Sequence, residues 1–378
     1  MKVGFNCRYL ERPVWTGTEQ YLFNLVQGLE RLADGPDKIL FGMNRSVLEQ
    51  KLRPSMGRSA LVIKSPPCCQ DNQAGRFAWD LQTVGKMANR HKVDVFHGTS
   101  FTLPNSLKMP AAVTFFDLAF LRHPGFYSLK ENIYLRWIIR RSAKKARAII
   151  TISEFSKKEM VSLLRLDPHK IYAIPLGVSN ILQSPIVSRD NITSKYGLKK
   201  PYLITVSTVT ARKNLKVLLE AVKRLKPTKG SGITLCIAGR DGFGAGEIKK
   251  HCLMLGLESR VIFTGPVPQA DMGDLVANAV CSLVPSRYEG FGLPVLEAMA
   301  AGVPVIAANS SALPEVVGQA GLLADPDDPD DWAFKITSLL DDPGLGQKLR
   351  QIGRERAKTF TWHNTALRTH RVYEKIKP

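Results

Sequence analysis

The stretch Pro285-Ser-Arg-Tyr-Glu-Gly-Phe-Gly-Leu-Pro-Val-Leu-Glu-Ala-Met-Ala-Ala-Gly302 decides how the chain is read. The apolar run 280–284 before it reads as a strand. A loop with Gly290 and Gly292 follows, Pro294 suits the first turn of a helix, and Gly302 suits its end. A glycine loop feeding a helix presents backbone N–H groups and a positive dipole end, a combination that takes phosphate. Two carboxylates bracket this anion site. Glu289 lies in the loop, and Glu297 is expected in the first helical turn. A carboxylate is a poor phosphate ligand but a good acceptor for paired hydroxyls, as on a sugar. The segment reads as a seat for a phosphate with a sugar on either side. A surface turn with two solvated glutamates fits the same spacing.

Outward from this segment, short Val- and Ile-rich runs alternate with helical patterns. Runs 93–97, 112–116, 148–152 and 171–175 read as strands, as do 202–206, 233–238, 261–263 and 303–307. Near-continuous apolar strands separated by helices predict parallel sheets covered on both faces. The polar stretch 177–200 breaks the rhythm. The expected organisation is α/β: a Rossmann-like domain over 1–178, a linker over 179–200 and a second Rossmann-like domain over 201–358. Residues 359–378 form a final helix returning to the first domain. Each sheet is doubly wound, with ligands at the carboxyl ends of its strands. From Asp330 onward only helices are expected, broken near Pro343 and Thr361.

Two further segments fall at such ends. Thr208-Val-Thr-Ala-Arg-Lys-Asn-Leu215 follows the first strand of the second half, with Asn214 as a plausible N-cap. Arg212 offers a fork to phosphate and Lys213 a point charge. Near the start, Thr16-Gly-Thr-Glu19 fits a capping box, and Gly17 lets backbone approach a ligand.

The chain has 378 residues and a formal net charge of +20. Residues 1–180 carry a net +13 of this, against +7 for the remainder. That excess points to nucleic acid, an anionic membrane or a phosphate-bearing substrate as partner. Hydrophobic residues make up 44%, which excludes a disordered chain, and no apolar run is long enough to span a membrane. Residues 1–13 lack the apolar stretch of a signal peptide, and six scattered cysteines show no ligand spacing. Both features read as a reduced, cytoplasmic protein.

The string EGFGLPVLEAMAAGVPVIAANSSALPEVVG, with ARKNL upstream, resembles glycosyltransferase family 4. Gly17, Thr151-Ile-Ser-Glu-Phe-Ser156 and Ile174-Pro-Leu-Gly177 resemble landmarks of its first domain, so the likeness spans most of the chain. The resemblance implies the GT-B fold, two domains facing across a cleft, and a retaining transfer of a hexose from a nucleotide-sugar donor. A UDP-glucose-like donor comes first and GDP-mannose second; the acceptor is a glycan or lipid-linked glycan of cell-surface polysaccharide synthesis. It implies that Arg212 and Lys213 bind the donor diphosphate, that Glu289 contacts the transferred sugar, and that Glu297 holds the ribose. Gly17, Ser207, Gly239, Pro266, Val267, Gly290, Phe291, Gly292 and Leu293 complete the implied donor site, and His97 and Asp117 face the acceptor. Arg212, Lys213, Glu289 and Asp117 form the implied catalytic set, with no covalent nucleophile assigned.

No cofactor and no metal are expected. The run Asp325-Pro-Asp-Asp-Pro-Asp-Asp331 is the nearest thing to a metal motif, and it reads as a turn with helix N-terminal charges. The chain departs from the family at Phe116-Asp117, where the family has His-Asp, at Ser207, where it has Gly, and at Thr210-Ala211, where it has Glu-Pro. Segment 130–147 interleaves seven cations with Ile133, Tyr134, Trp137, Ile138 and Ile139. It reads as a basic amphipathic helix, either covering the sheet with a solvated face or lying on an anionic membrane at the inner face of the cytoplasmic membrane. The alternatives to an enzyme are a catalytically silent GT-B scaffold and a basic nucleic-acid-binding protein; the motifs argue against a nucleic-acid partner.

Overall fold

The computed structural model describes residues 1–12, 17–52, 57, 61–63, 73–178, 192–225 and 232–378. They divide into two compact units, Met1–Gly177 with Thr361–Pro378, and Val178–Phe360. Unit 1 contains β1 (Lys2–Asn6), β2 (Asp37–Phe41), β3 (Leu61–Ile63), β4 (Val95–Gly98), β5 (Ala111–Thr114), β6 (Ala148–Thr151) and β7 (Ile171–Ala173). These form one parallel sheet in the order β3-β2-β1-β4-β5-β6-β7. Unit 2 contains β8 (Tyr202–Val206), β9 (Thr234–Ala238), β10 (Val261–Gly265), β11 (Cys281–Val284), β12 (Val305–Ala308) and β13 (Leu322–Ala324). Its parallel sheet runs β10-β9-β8-β11-β12-β13. Each strand order reverses direction once, between β1 and β4 and between β8 and β11. Those reversals are where doubly wound sheets bind ligands.

The sequence pattern marks the central strands and misses β1, β2, β3 and β13. In β1, Gly4 dilutes the apolar run because a side chain there would meet the Phe41 ring at 3.0 Å and Val93 at 3.1 Å. In β2, Lys38 is buried and paired with Glu30 at 2.5 Å, a strand cation that hydropathy reads as exposed. Of the stretch expected as linker, 179–191 lies outside the described residues. From Ile192 onward the chain packs on unit 2, where Lys195 and the Tyr196 hydroxyl both reach Asp271, at 2.6 and 2.7 Å.

Three helices close the chain: Pro329–Asp341, Pro343–Lys358 and Trp362–Ile376. Asp328, Asp342 and Thr361 cap them, each side chain accepting from a first-turn N–H. The last helix packs in unit 1 against the Gly17–Glu30 helix. Gly28 permits that close approach, since a Cβ there would lie 2.8 Å from both Ala366 and the Trp362 carbonyl. Cys7, Cys236, Cys252 and Cys281 are free and buried; Cys68 and Cys69 lie outside the described residues.

Candidate active site

Strands β8, β11 and β12 are neighbours, so the loops that leave their carboxyl ends meet. Lys213 Nζ donates to Glu289 Oε1 at 2.5 Å, and Arg212 Nη1 reaches Glu289 Oε2 at 3.3 Å and the Tyr288 carbonyl at 2.7 Å. The loop after β12 braces this cluster. The Glu289 N–H donates to Ser311 Oγ at 2.9 Å, and Ser310 Oγ donates to the Ser286 carbonyl at 2.9 Å. Glu289 is buried, which by itself pushes its carboxyl up. The charges of Lys213 and Arg212, with hydrogen bonds from Lys213 and Ser286, outweigh burial and hold it down at about 2. Glu289 is therefore ionised throughout the neutral range.

Glu297 is the fifth residue of the Leu293–Ala300 helix, one turn deeper than the first-turn position expected from sequence. Among the described residues nothing donates a hydrogen bond to its carboxyl, and burial raises it to about 7. Two glutamates eight residues apart thus have opposite proton affinities, set by partners in one case and by desolvation in the other. Gly292 takes the left-handed N-cap position at φ 117°, and a Cβ there would lie 2.8 Å from Leu313 Cδ2. Phe291 is buried, edge-on to Phe360 at 5.8 Å, so its contribution to the loop surface is backbone.

Ser207 and Gly239 follow β8 and β9, whose register aligns Val206 with Ala238. A Cβ on Gly239 would stand 2.1 Å from the Ser207 carbonyl oxygen, so the two turns touch through backbone. The Ser207 hydroxyl is buried with no hydrogen-bond partner among the described residues. Pro266 and Val267 leave the carboxyl end of β10, two strands away from β8. Asn214 occupies the N-cap position of the Leu215–Arg224 helix without capping it; its amide donates instead to the Pro326 carbonyl at 2.6 Å. In the acidic run, Asp328 caps the next helix and Asp331 accepts from the Asp325 N–H and pairs with Lys335.

In unit 1, Gly17 opens the Gly17–Glu30 helix with open space where a Cβ would go. Thr16 lies outside the described residues; Glu19, its expected capping-box partner, is buried and pairs with Arg12 at 2.9 Å. Asp117 lies just past β5, its Oδ1 accepting from the Ala119 N–H at 3.0 Å. Phe116, where the family has His, stands edge-on to Tyr21 at 5.2 Å and to Phe101 at 5.8 Å. His97 does not face a ligand. It is fully buried, Nδ1 bonds Tyr373 Oη at 2.6 Å, and Nε2 bonds Thr114 Oγ1 at 2.8 Å. Burial lowers it to about 3, so it is a neutral framework histidine joining the last helix to the sheet. Sequence reasoning missed a buried cluster past β1. Asp80 takes Arg8 at 2.5 Å and Asn6 at 2.8 Å, and Asn6 accepts from Trp79 at 2.9 Å. An arginine two residues beyond an apolar strand is the signal that marks it.

The family described as Glycosyl transferases group 1 matches residues 188–357, and Glycosyltransferase Family 4 matches 15–180. An O-antigen chain mannosyltransferase B from Escherichia coli is 32% identical over 302 residues, covering 79% of this chain and 77% of that one. The chain belongs to glycosyltransferase family 4. An MMP alpha-(1->4)-mannosyltransferase from Mycolicibacterium hassiacum is 31% identical over 62% of this glycosyltransferase and 56% of its own length. The fold matches that of HepE from Anabaena, solved in complex with UDP-glucose, with a TM-score of 0.77. That likeness covers 99% of this chain and 100% of HepE at 19% identity. Both units of this glycosyltransferase are therefore of the GT-B type, and the Arg212–Lys213–Glu289 cluster lies within its group 1 region.

The basic segment forms the Leu129–Lys145 helix, opened by a capping box between Ser128 and Glu131. Its apolar residues split between two faces. Ile138, Ile139 and Ala143 are buried against the sheet, while Leu129, Ile133 and Trp137 are 76%, 60% and 46% exposed. Arg141 and Lys145 hydrogen-bond the 103–105 loop. Lys130, Arg136, Arg140, Lys144 and Arg147 remain exposed, with no carboxylate partner among the described residues. Among those residues no helix is long and apolar enough to cross a membrane.

Proposed function

We propose that the chain transfers a hexosyl group, with retention, from a nucleoside diphosphate sugar bound in unit 2 to a glycan acceptor bound in unit 1. The observation that carries this reading is the pair of cations held on a buried carboxylate at the β8–β11 reversal. When the bond from the anomeric carbon to the diphosphate breaks, negative charge grows on the leaving nucleotide. Arg212 and Lys213 meet it as preorganised positive charge, without requiring a metal. Glu289 is already ionised, so it serves as an acceptor for sugar hydroxyls and not as a general acid. Glu297, unpartnered among the described residues, accepts from the ribose hydroxyls, while the turns at Ser207, Gly239, Pro266 and Val267 and the backbone of 290–293 border the rest of the donor. Asp117 orients the acceptor hydroxyl.

Mannose is the sugar best supported, because the two relatives named above are mannosyltransferases. That reverses the order drawn from sequence alone, which put a UDP-glucose-like donor ahead of GDP-mannose. The acceptor is a glycan of cell-surface polysaccharide synthesis, carried on a lipid. The outward Leu129–Ile133–Trp137 ridge with its flanking cations then rests on an anionic bilayer. A screen of UDP-, GDP- and ADP-hexoses with mass analysis of the product tests the reaction. GDP-mannose should give a product one hexose heavier; no transfer from any nucleotide sugar would leave the silent scaffold as the account.

A further inference from the structure

At the carboxyl end of the unit 1 sheet stands a pair of exposed rings to which the proposed reaction gives no task. Phe77 is 47% exposed and Tyr134 is 38% exposed, and their rings lie 6.2 Å apart at a tilt of 53°. They come from elements far apart in sequence, the Gln73–Ala78 and Leu129–Lys145 helices, so it is the fold that gathers them into one shelf. Trp137, one turn further along, backs Tyr134 at 6.2 Å. A single exposed ring needs no explanation, whereas a grouped apolar surface marks a place where something binds.

Polar groups meet this shelf along one edge. The Tyr134 hydroxyl hydrogen-bonds Thr102 and lies within electrostatic reach of Arg8 and Asp80. Arg8 is two residues past β1, at the β1–β4 reversal where a doubly wound sheet binds ligands. Its Nε and Nη2 donate to Asp80 at 3.2 and 2.5 Å, and its Nη1 has no hydrogen-bond partner among the described residues. The Tyr9 hydroxyl donates to the same carboxylate at 3.4 Å, with the guanidiniums of Arg8 and Arg12 over its ring. A widened π-helical turn, Trp79–Thr83, shapes the edge. It turns the consecutive side chains of Trp79 and Asp80 inward, both bonded to Asn6, while Phe77 stays outside. Such turns are rare and recur at functional sites.

The edge and the shelf together narrow the ligand. The Arg8–Asp80 pair cancels its own charge, so it offers directed hydrogen bonds and not a net attraction for an anion. A hydrocarbon chain would cover the rings but leave the polar edge desolvated and unpaired. A hexopyranose has one face of C–H groups and a rim of hydroxyls, and it satisfies both. We propose that the shelf binds a neutral hexopyranose of the glycan acceptor, its C–H face on Phe77 and Tyr134 and its hydroxyl rim on the Tyr134 hydroxyl and Arg8 Nη1. The inference rests on the acceptor half of the reaction above and adds which residues read the acceptor sugar and by which face.

Saturation-transfer NMR on the full chain tests it, with the methyl glycosides of glucose, mannose and galactose as probes. At least one should bind, with saturation strongest on the C–H protons of one ring face. Phe77→Ala should weaken that binding about tenfold, a loss of about 1.4 kcal/mol. Phe77→Trp should restore it, and because Phe77 is exposed both variants should melt near the wild type. Cyclohexanol, a ring without the hydroxyl rim, should bind at least about tenfold more weakly than the best glycoside. Lys213→Ala should leave glycoside affinity within about twofold, because additivity holds for separate sites. Failure of all three glycosides to bind, undiminished binding in Phe77→Ala, or cyclohexanol binding as tightly as the glycosides would each overturn the proposal. The donor screen above judges the reaction separately. Product formation with a Phe77→Ala titration like the wild type keeps the reaction and removes the shelf; Phe77-dependent glycoside binding without transfer from any donor keeps the shelf and removes the reaction.

Discussion

Lys213, Arg212 and Glu289 show how residue chemistry is set by partners. A lone buried carboxyl rises in pKa, yet Glu289 is held at about 2 because two cations face it. Replacing Lys213 with Ala removes a cation from Glu289 that, in the proposed reaction, meets the leaving diphosphate. Turnover should fall by roughly a hundredfold to a thousandfold, the scale of a lost transition-state donor. Arg212 still faces Glu289, so circular dichroism should report an intact fold. Unchanged turnover would remove Lys213 from the mechanism. Glu297 gives a pH prediction of definite sign. Its carboxyl is raised from 4.5 to about 7, so the folded state holds the proton more tightly. That contribution to stability is full below 4.5 and is lost as pH rises through about 7. Relative to Glu297→Gln, which stays neutral, the wild-type melting temperature should fall between pH 5 and pH 8. Donor affinity should move the other way, rising through the same interval in wild type and staying flat in the variant.

The Arg212–Lys213–Glu289 cluster was legible in sequence because each residue follows a strand end, while the spacing of the two glutamates alone fitted a surface turn equally well. Glu289, Arg212 and Lys213 were picked out from position alone, and the fold brings them into contact. His97 misled because a histidine ending a strand looks the same whether it faces solvent or core. Only Tyr373, 276 residues away, decides the matter, and local pattern does not carry such a partner. Lys38 hid β2 for the same reason, its charge being satisfied by Glu30 on another element.

At the scale of elements, loops are held by backbone geometry as much as by side chains. Gly292 sits at φ 117° with Leu313 close behind it. Gly292→Ala should cost about 1–3 kcal/mol for the strained backbone, read by denaturant unfolding. It should also weaken nucleotide binding, since the 290–293 backbone would shift. The last helix is keyed to the first sheet through Tyr373, His97, Thr114 and Tyr21, a buried chain of hydrogen bonds. His97→Phe strands the Tyr373 hydroxyl and leaves Thr114 only its bond to Tyr21, and should destabilise by about 1–3 kcal/mol. Acceptor KM should stay unchanged, which separates a framework role from a binding one. β3 and β13 were not legible in the sequence, having three residues each and too little periodicity to register, whereas the equally short β7 was read because its apolar run continues to 175.

At the scale of the whole molecule, the net charge of +20 resolves into separate tasks. Two cations face Glu289, Arg141 and Lys145 hold a loop, and five more surround an apolar ridge turned outward. Binding to anionic vesicles should therefore be salt-sensitive and should weaken both in Trp137→Ala and on neutralising Arg136 and Arg140. Charge neutralisation without effect would reassign the ridge to a protein partner. The central claim is that unit 2 takes a nucleoside diphosphate sugar on Arg212 and Lys213. Calorimetric titration with UDP, GDP, ADP and their hexoses, on wild type and on Lys213→Ala, tests it most directly. At least one nucleotide should bind wild type and bind the variant about tenfold or more weakly, a loss of about 1.4 kcal/mol for the missing contact. Oligonucleotide binding with no affinity for any nucleotide or nucleotide sugar would contradict the account.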